Sequence, residues 1–539
     1  SSVEMEPSYL RVTHSLLGLV LLCLAKTTFG EVYTALVDLE GLLVTEAEVI
    51  RSIDNYIAAE ENRLHRLKEL KHAYEENYEE ASKNIKIYLE NPINAYTIVK
   101  SLTIDWKHVE QVMMENAGKN VISNISQSLL KFPDEEDLKG AAAAVLRLQD
   151  TYNLDTNSLA KGQLQGVKVR RELTASDCFE LARQAYNAND FHHAILWMRQ
   201  ALMSLERISD KTVPKEDVLE YLAFSLYKQG NIVEAAAVTE DLLKIAPTHE
   251  RAVGNRVYYQ HMLKSEDFKK KGEEGSLTSN EEAPASGLTH ERRQYEKLCR
   301  GENLLDPKFE AKLKCRYIDN NHPYLKIGKI KEEDAYLSPR IVIYHDIMFD
   351  REIEKVMTLA HPRLQRATVQ NYITGELETA HYRISKSAWL RTEEDETIAA
   401  LCHRIGAVTG LDLDTAEELQ VVNYGIGGHY EPHFDFAKRE EKNAFKSLGT
   451  GNRIATWLNY MSDVESGGAT VFPYLGISLW PKKGTAAFWY NLHKNGEGDD
   501  MTRHAACPVL VGSKWVSNKW FHERGQEFRR KCGLTFDEE

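Results

Sequence analysis

Residues 421–436 carry the feature that most limits what this chain can do, and its centre is the pair His433 and Asp435. Residues two apart on an extended strand point to the same face, so both side chains can bind one metal ion. Taken alone, a His-x-Asp pair is most often an ordinary hydrogen-bonded pair. A metal site is predicted only if the chain supplies a further ligand.

Two residues near the C-terminus strengthen the prediction. His504 offers a second imidazole, and two imidazoles with one carboxylate form the facial triad of non-haem iron(II) oxygenases, which leaves coordination positions open. Lys514 follows among apolar and aromatic residues, where an ammonium group requires an anionic partner. The dicarboxylate 2-oxoglutarate would supply that anion. Together these residues predict an iron- and 2-oxoglutarate-dependent oxygenase.

In these segments the sequence resembles the alpha subunits of collagen prolyl 4-hydroxylases. The matching segments are residues 424–436, 452–456, 467–473, 502–508 and 515–528, and the likeness extends over nearly all of the chain after residue 30. The resemblance implies a multidomain α+β fold with an N-terminal helical coiled-coil dimerisation region, a tetratricopeptide-like helical repeat domain and a C-terminal double-stranded β-helix (jelly-roll) oxygenase domain.

The resemblance also implies a reaction and the residues that perform it. The expected reaction is hydroxylation of proline at C4 in X-Pro-Gly repeats of procollagen, coupled to oxidative decarboxylation of 2-oxoglutarate to succinate and CO2, with O2 and L-ascorbate also required. His433, Asp435 and His504 would hold Fe(2+), and Lys514 would pair with the distal carboxylate of 2-oxoglutarate. Tyr424 and His522 would help to hold that cosubstrate, and Tyr430, Arg453 and Trp520 would line the groove for the substrate proline.

Length and charge limit the class of protein. A chain of 539 residues is expected to form about three domains. Its 67 basic and 81 acidic residues give a net charge of −14, which argues against a nucleic-acid partner. Residues 16–25 form a short apolar run between Arg11 and a small-residue cleavage pattern, which predicts a secretory signal peptide over residues 1–30. We expect no membrane span in the mature chain.

Cysteines and a glycosylation sequon fit a secreted route. The residues alone leave fifteen ways to pair the six cysteines that follow the leader. The resemblance implies the disulfides Cys299–Cys315 and Cys507–Cys532. We expect Cys178 and Cys402 to be reduced. The sequon that begins at Asn124 predicts glycosylation there.

Residues 31–170 are predicted to be helical. Apolar residues recur at three- and four-residue steps with charged residues between them, at Ile50, Ile53, Ile57, Leu64, Leu67 and Tyr74. The spacing predicts a long amphipathic helix, which either forms a coiled-coil seam or packs in an ordinary bundle. The resemblance favours a dimerisation domain.

Residues 171–264 contain an internal repeat. Leu181, Ala182, Ala194 and Ala201 take tetratricopeptide positions, and Leu222, Ala223, Ala235 and Pro247 take those of a second unit. The aromatic residues of the region form either a core or a groove for proline-rich peptides. The resemblance favours a peptide-binding groove with Tyr186, Tyr221, Arg251, Asn255 and Tyr258. Phe224 and His261 stand where that family has two further tyrosines, so we expect peptide preference to differ in detail.

The rest of the chain is predicted to hold a connector and the catalytic domain. Residues 265–335 comprise a polar linker and a disulfide-bearing connector. Short strand patterns rich in β-branched and aromatic residues dominate residues 336–539, with helical patterns at 350–360 and 393–408.

Two other functions would fit part of this sequence pattern. Lysyl hydroxylation is disfavoured, because those enzymes have an arginine where Lys514 stands and lack the repeat region. A collagen-binding assembly factor with an inactive oxygenase domain is disfavoured, because every iron and cosubstrate position holds a competent residue. The resemblance further implies an alpha2-beta2 tetramer with protein disulfide isomerase as the beta subunit, in the endoplasmic reticulum lumen.

Overall fold

The structure is a computed structural model that describes residues 36–127, 132–168, 171–207, 213–264, 289–370, 377–441, 444–446 and 448–535. The predicted signal peptide and residues 265–288 of the predicted linker lie outside these ranges, as does the side chain of Asn124. The described residues fall into two compact units, residues 37–134 and the chain from residue 135 onward.

The first unit is helical. It contains α1 (Leu36–Lys83), α2 (Ile85–Glu90), α3 (Pro92–Lys100), α4 (Trp106–Met114) and α5 (Ala117–Gln127). Asparagine side chains cap the N-termini of α2 and α3. Asn84 accepts a hydrogen bond from the backbone N–H of Ile87, and Asn91 accepts one from that of Ile93. The long helix predicted around Ile50 is confirmed as α1. Asn124 lies on α5.

The second unit begins with a helical region. Its elements are α6 (Glu135–Tyr152), α7 (Thr156–Ala160), the hairpin β1 (Gln163–Leu164) and β2 (Val167–Lys168), α8 (Ala175–Asn187), α9 (Phe191–Arg207), α10 (Lys215–Lys228), α11 (Ile232–Ile245) and α12 (Glu250–Lys264). Thr174 and Asp177 form a capping box at the start of α8. Ala182, Ala194 and Ala235 are fully buried between the helices, which confirms that small residues allow their close packing.

The β-rich region follows. Its helices are α13 (His290–Cys299), α14 (Pro307–Glu310), α15 (Pro323–Ile327), α16 (Asp350–Ala360) and α17 (Glu396–Thr409). Its strands are β3 (Cys315–Ile318), β4 (Ile330–Leu337), β5 (Arg340–His345), β6 (Gln365–Arg366), β7 (Thr368–Gln370), β8 (Leu377–Thr379), β9 (Arg383–Ile384), β10 (Lys386–Leu390), β11 (Leu419–Tyr424), β12 (His429–His433), β13 (Arg453–Tyr460), β14 (Ser466–Gly467), β15 (Thr470–Phe472), β16 (Ile477–Leu479), β17 (Ala486–Tyr490), β18 (His504–Ala506), β19 (Val509–Val511) and β20 (Lys514–His522).

Most of these strands form two antiparallel sheets that pack face to face. The large sheet has the order β3-β4-β5-β17-β13-β20-β11-β10-β6, and the small sheet has the order β16-β15-β18-β12-β9. Val422 and Trp489 of the large sheet share an apolar core with Phe472 of the small sheet. Because side chains alternate along a strand, the next residues face the other way, and Val421 packs with Leu401 of α17. The small sheet thus meets the large sheet on one face.

The disulfide pairing implied by the resemblance is wrong. The structure joins Cys299 to Cys507, whose Cα atoms lie 5.5 Å apart, while Cys315 and Cys532 are exposed and free. The reason is that α13 packs on the small sheet, where Cys299 and Cys507 share one buried cluster. Cys178 and Cys402 are buried and free, as expected.

Among the described residues, no helix combines the length and the apolar composition that a membrane span requires.

Candidate active site

Two neighbouring strands of the small sheet bring the predicted metal ligands together. β12 pairs antiparallel with β18, and His433 stands directly opposite His504. Asp435 follows two residues after the end of β12 and turns back toward both rings. The ligand atoms of the three residues, which we call the iron triad, all lie within 4.8 Å of one another. The structure therefore brings together the three residues that were predicted to bind a metal.

Hydrogen bonds to backbone carbonyls orient the two histidine rings of the iron triad for metal binding. The Nδ1 atom of His433 lies 2.8 Å from the carbonyl oxygen of Glu431, and Nδ1 of His504 lies 3.0 Å from that of Thr502. Each Nδ1–H can therefore donate to a carbonyl, which leaves the Nε2 lone pair directed at Asp435. The distances from Nε2 to the Asp435 carboxylate are 3.7 Å for His433 and 3.6 Å for His504.

The charge states fit the same role. Burial, followed by the neighbouring His504, lowers the pKa of His433 well below its ordinary value, so the ring is neutral and able to coordinate. Burial alone would raise the pKa of Asp435, but the two histidines and a 2.7 Å hydrogen bond donated by Thr456 hold it below its ordinary value. The two imidazoles and the carboxylate that converge in this buried site form a suitable donor set for iron(II).

A narrow cavity extends from the iron triad to Lys514. Lys514 is 1% exposed, and burial lowers its pKa to about 7. Among the described residues, the hydrogen-bond partner of its Nζ is the Thr470 hydroxyl at 3.4 Å. The ring of Tyr424 also lines the cavity, with its centroid 5.4 Å from Nζ. Lys514 and Tyr424 thus lie where a dicarboxylate between iron and lysine would contact both.

His522 is not among the residues that line this cavity, so the structure does not bring its predicted cosubstrate contact together with Lys514. Lys514 and His522 are the two ends of β20, separated by roughly 26 Å at the usual rise of a strand. His522 instead lies 2.9 Å from Glu417 through Nε2 and 2.8 Å from the carbonyl oxygen of Gly451 through Nδ1. Even spacing along a strand gives two side chains the same face but not the same site.

A wider groove of about 610 Å³ opens onto the other side of the iron triad. Tyr430, Arg453 and Trp520 line it, as expected for a proline groove. The ring of Tyr430 stacks on His433 at 3.5 Å between centroids, and the guanidinium of Arg453 lies 4.0 Å from the centre of Trp520. Aromatic faces beside the metal ligands form a surface on which a proline ring can pack.

Sequence reasoning missed Glu417, which orders this groove. Its carboxylate accepts from Nε of Arg453 at 2.5 Å and from Nε2 of His522 at 2.9 Å. Burial alone would raise the pKa of Glu417, but Arg453 and His522 lower it to about 2. The ion pair therefore fixes the guanidinium over Trp520. No motif marks Glu417, and the sequence shows there only an acidic pair, Glu417 and Glu418, just before β11.

The predicted peptide-contacting residues of the repeat region also come together. The rings of Tyr186 and Tyr221 lie 4.8 Å apart, and those of Tyr227 and Tyr258 lie 5.7 Å apart. Phe224 lies between the two pairs, 5.8 Å from Tyr186 and 5.9 Å from Tyr227. We call this continuous aromatic surface across α8, α10 and α12 the tyrosine groove.

Arg251, Asn255 and Tyr258 occupy one face of α12, at three- and four-residue spacing. Arg251 is exposed and pairs with Glu220 at 2.8 Å. His261 is exposed on the last turn of the same helix. The helix thus places polar groups beside the tyrosine groove.

Models of known protein families match three segments of this chain. Family models described as the prolyl 4-hydroxylase alpha-subunit N-terminal region, the prolyl 4-hydroxylase peptide-substrate-binding domain and the 2OG-Fe(II) oxygenase superfamily match residues 35–166, 175–265 and 419–522.

Curated relatives match almost the whole chain. Prolyl 4-hydroxylase subunit alpha-1 of Homo sapiens and that of Mus musculus are each 49% identical over 510 residues, which cover 93% of this chain and 96% of theirs. Prolyl 4-hydroxylase subunit alpha-2 of Caenorhabditis elegans is 49% identical over 525 residues, which cover 96% of both chains. With its iron triad, buried lysine and aromatic grooves, this chain belongs to the family of prolyl 4-hydroxylase alpha subunits.

Proposed function

We propose that this chain is a catalytic alpha subunit that hydroxylates proline at C4 in X-Pro-Gly repeats of procollagen, coupled to conversion of 2-oxoglutarate to succinate and CO2. The observation that carries the proposal is the placement of the iron triad between a narrow cavity that ends at Lys514 and an aromatic groove. One side suits a small dicarboxylate, and the other suits a proline ring.

His433, Asp435 and His504 would hold Fe(2+), which supplies oxygen activation when it is bound with 2-oxoglutarate and O2. L-ascorbate would keep the iron reduced. Lys514 binds the distal carboxylate, since an ammonium buried among Tyr424 and Tyr460 gains its charged form when an anion arrives. The lysine thereby orients the cosubstrate along the cavity.

The groove residues position the substrate. Tyr430 and Trp520 offer ring faces to the proline, and Arg453, held by Glu417, can donate to a peptide carbonyl beside it. Trp520 is buried, and with the half-buried Tyr430 and Arg453 it limits the access of water to the carbon that reacts. Tyr186, Tyr221, Arg251, Asn255 and Tyr258 bind a distant part of the same chain, because a polyproline II segment loses little entropy when it docks on aromatic rings.

The architecture completes the proposal. We assign residues 1–30 to a signal peptide, 31–170 to a helical dimerisation domain that uses a coiled-coil seam, and 171–264 to a tetratricopeptide-like peptide-substrate-binding domain. Residues 265–335 form the connector and 336–539 the jelly-roll catalytic domain, whose two packed antiparallel sheets support that assignment. The chain works in the endoplasmic reticulum lumen, carries a glycan at Asn124, and joins protein disulfide isomerase in an alpha2-beta2 tetramer.

Succinate release tests the function. With Fe(2+), 2-oxoglutarate and ascorbate, a peptide of about ten Pro-Pro-Gly repeats should drive succinate release and gain 4-hydroxyproline in equal amounts. A peptide with lysine in place of the central prolines should not. Turnover of the lysine peptide would indicate a lysyl hydroxylase, and peptide binding without succinate from either peptide would indicate a collagen-binding factor. Co-purification with protein disulfide isomerase tests the assembly, and a soluble, active, retained chain without it would contradict that part.

A further inference from the structure

Helix α6 lies between the repeat helices and the small sheet and contacts both. Side chains three or four residues apart share one face of a helix. At about 100° per residue, Ala144 and Arg147 share one face, while Leu146 and Gln149 share a face on roughly the opposite side. The two faces contact different parts of the chain.

The repeat-facing side of α6 is attached to α9. The indole Nε1 of Trp197 donates to Oε1 of Gln149 at 3.0 Å, and both side chains are buried. Nε2 of His193 lies 3.2 Å from the Asp150 carboxylate. Leu146 belongs to the same apolar core as Trp197. Since a buried indole N–H that loses its acceptor is costly, α6 and α9 are expected to move as one body.

The opposite side of α6 is attached to the oxygenase. Nη1 of Arg147 donates to the carbonyl oxygen of Gly427 at 2.9 Å. Ala144 packs so closely on Gly427 that a Cβ built on the glycine would lie 2.6 Å from the Cβ of Ala144. Tyr152, at the end of the helix, donates its hydroxyl hydrogen to the carbonyl oxygen of Pro508.

These attachment points flank the strands that carry the two histidines of the iron triad. Gly427 lies two residues before β12, and Pro508 lies two residues after β18. The two segments are also tied to each other, because the N–H of Gly427 donates to the carbonyl oxygen of Val509 at 2.8 Å. Helix α6 therefore connects the helix beside the tyrosine groove to the frame of the metal site.

We propose that α6 holds the tyrosine groove at a fixed position relative to the iron triad, and that Arg147 and Gln149 are positioning residues for long substrates. This inference rests on the proposed function, because it takes the groove to bind the peptide that the triad hydroxylates. A peptide held at one site reaches the second with an effective concentration set by the separation of the sites. If the covalent chain alone held the two regions, that separation would vary and the effective concentration would fall.

Matched substitutions on α6 in the full chain test the proposal. Ala144→Leu places a bulky side chain against Gly427, whereas Ala141→Leu makes the same change at an exposed position of the same helix. Arg147→Met removes the hydrogen bond to Gly427, and Arg147→Lys retains a donor. Gln149→Leu breaks the attachment on the repeat side instead.

For Ala144→Leu, Arg147→Met and Gln149→Leu we expect the KM for about ten Pro-Pro-Gly repeats to rise roughly ten-fold. We expect kcat with that peptide, and kcat/KM for a single Pro-Pro-Gly unit, to stay within about two-fold of wild type, because the short peptide occupies one site. Ala141→Leu and Arg147→Lys should match wild type for both peptides.

Two measurements that need no turnover accompany the kinetics. Without iron, a proline decamer should bind every variant with wild-type affinity by calorimetry. Hydrogen exchange of α6 should become faster in Ala144→Leu but not in Ala141→Leu. Equal losses for long and short peptides would mean that α6 acts on the iron site itself and would overturn the proposal. Unchanged long-peptide KM, or lost decamer binding, would overturn it as well.

The proposed hydroxylation and the proposed role of α6 can be tested independently of each other. If wild type releases no succinate with the long peptide, the reaction is misassigned. The exchange comparison would still decide whether α6 is docked on the oxygenase, and unchanged exchange in Ala144→Leu would refute the docking.

Discussion

Replacing Lys514 by methionine should stabilise the chain without cosubstrate and at the same time abolish tight cosubstrate binding. The side chain is 1% exposed, and burial lowers its pKa from 10.5 to about 7. At about 1.4 kcal/mol per pKa unit, that fall corresponds to roughly 5 kcal/mol of unfavourable burial of the charge. Methionine has a similar length and no charge, so the variant avoids this cost.

The pH dependence has a defined sign. In the unfolded chain Lys514 is protonated below its ordinary pKa, whereas in the folded chain it is protonated only below about 7. Between these values the unfolded chain binds one more proton, so the folding free energy of wild type improves by up to about 1.4 kcal/mol per pH unit as pH rises. The variant lacks this gain. Its advantage should be greatest at pH 7 and below, and smaller by about 3 kcal/mol at pH 9.

Urea unfolding followed by tryptophan fluorescence measures the effect. All tryptophans except Trp106 and Trp197 lie C-terminal to residue 335, so the signal reports mainly on the oxygenase. We expect Lys514→Met to raise the free energy of unfolding by about 2–5 kcal/mol at pH 7 without iron or 2-oxoglutarate. Lys312→Met, at an exposed lysine, is the control and should change little at either pH.

With 2-oxoglutarate present the advantage of the variant should shrink, because only wild type pairs the distal carboxylate, an interaction of about 3 kcal/mol or more. Without cosubstrate, two results would refute the reasoning. One is a variant with a lower free energy of unfolding than wild type at pH 7, and the other is a difference in free energy of unfolding that is the same at pH 7 and pH 9.

Alanine at any residue of the iron triad should abolish turnover while circular dichroism stays unchanged, and appreciable hydroxylation by one variant would remove that residue from the site. Tyr258→Ala should weaken proline-decamer binding by about 1 kcal/mol and raise KM for long peptides more than for a single repeat, as measured by calorimetry and succinate release. Equal effects at both lengths would argue against a peptide role for Tyr258. Peptide mapping of the non-reduced chain should find Cys299 joined to Cys507, and a Cys299–Cys315 peptide would contradict the structure.

The iron triad could be predicted because its residue types and their spacing form a recognisable motif, although His433 and His504 come from distant segments. Asp435 follows His433 by two residues, just past the end of β12, and His504 and Lys514 are the first residues of β18 and β20. A strand has one repeating geometry, so spacing in sequence translates directly into direction in space. His522 was assigned to the cosubstrate by the resemblance alone, and the structure places it at the opposite end of β20 from Lys514.

Other contacts between distant segments could not be predicted. Cys299 and Cys507 are separated by 208 residues, and the resemblance suggested nearer partners for both. Glu417 carries no motif, and its importance depends on a guanidinium that reaches it from β13. The attachment of α6 depends on a glycine carbonyl, and a backbone acceptor is present at every residue and so gives no signal.

The attachment of α6 also has a consequence for synthesis. Arg147 can form its hydrogen bond only after Gly427 has been synthesised, 280 residues further along the chain. Tyr152 can form its hydrogen bond only after Pro508 has been synthesised, 356 residues further. At about 5–20 residues per second, these intervals last roughly 15–70 s. During that time the repeat helices can fold, but the oxygenase-facing side of α6 has no partner. A nascent chain that stops before Gly427 would therefore present a folded repeat region with one uncovered side of α6, and the segments around Gly427 and Pro508 cover that side only later.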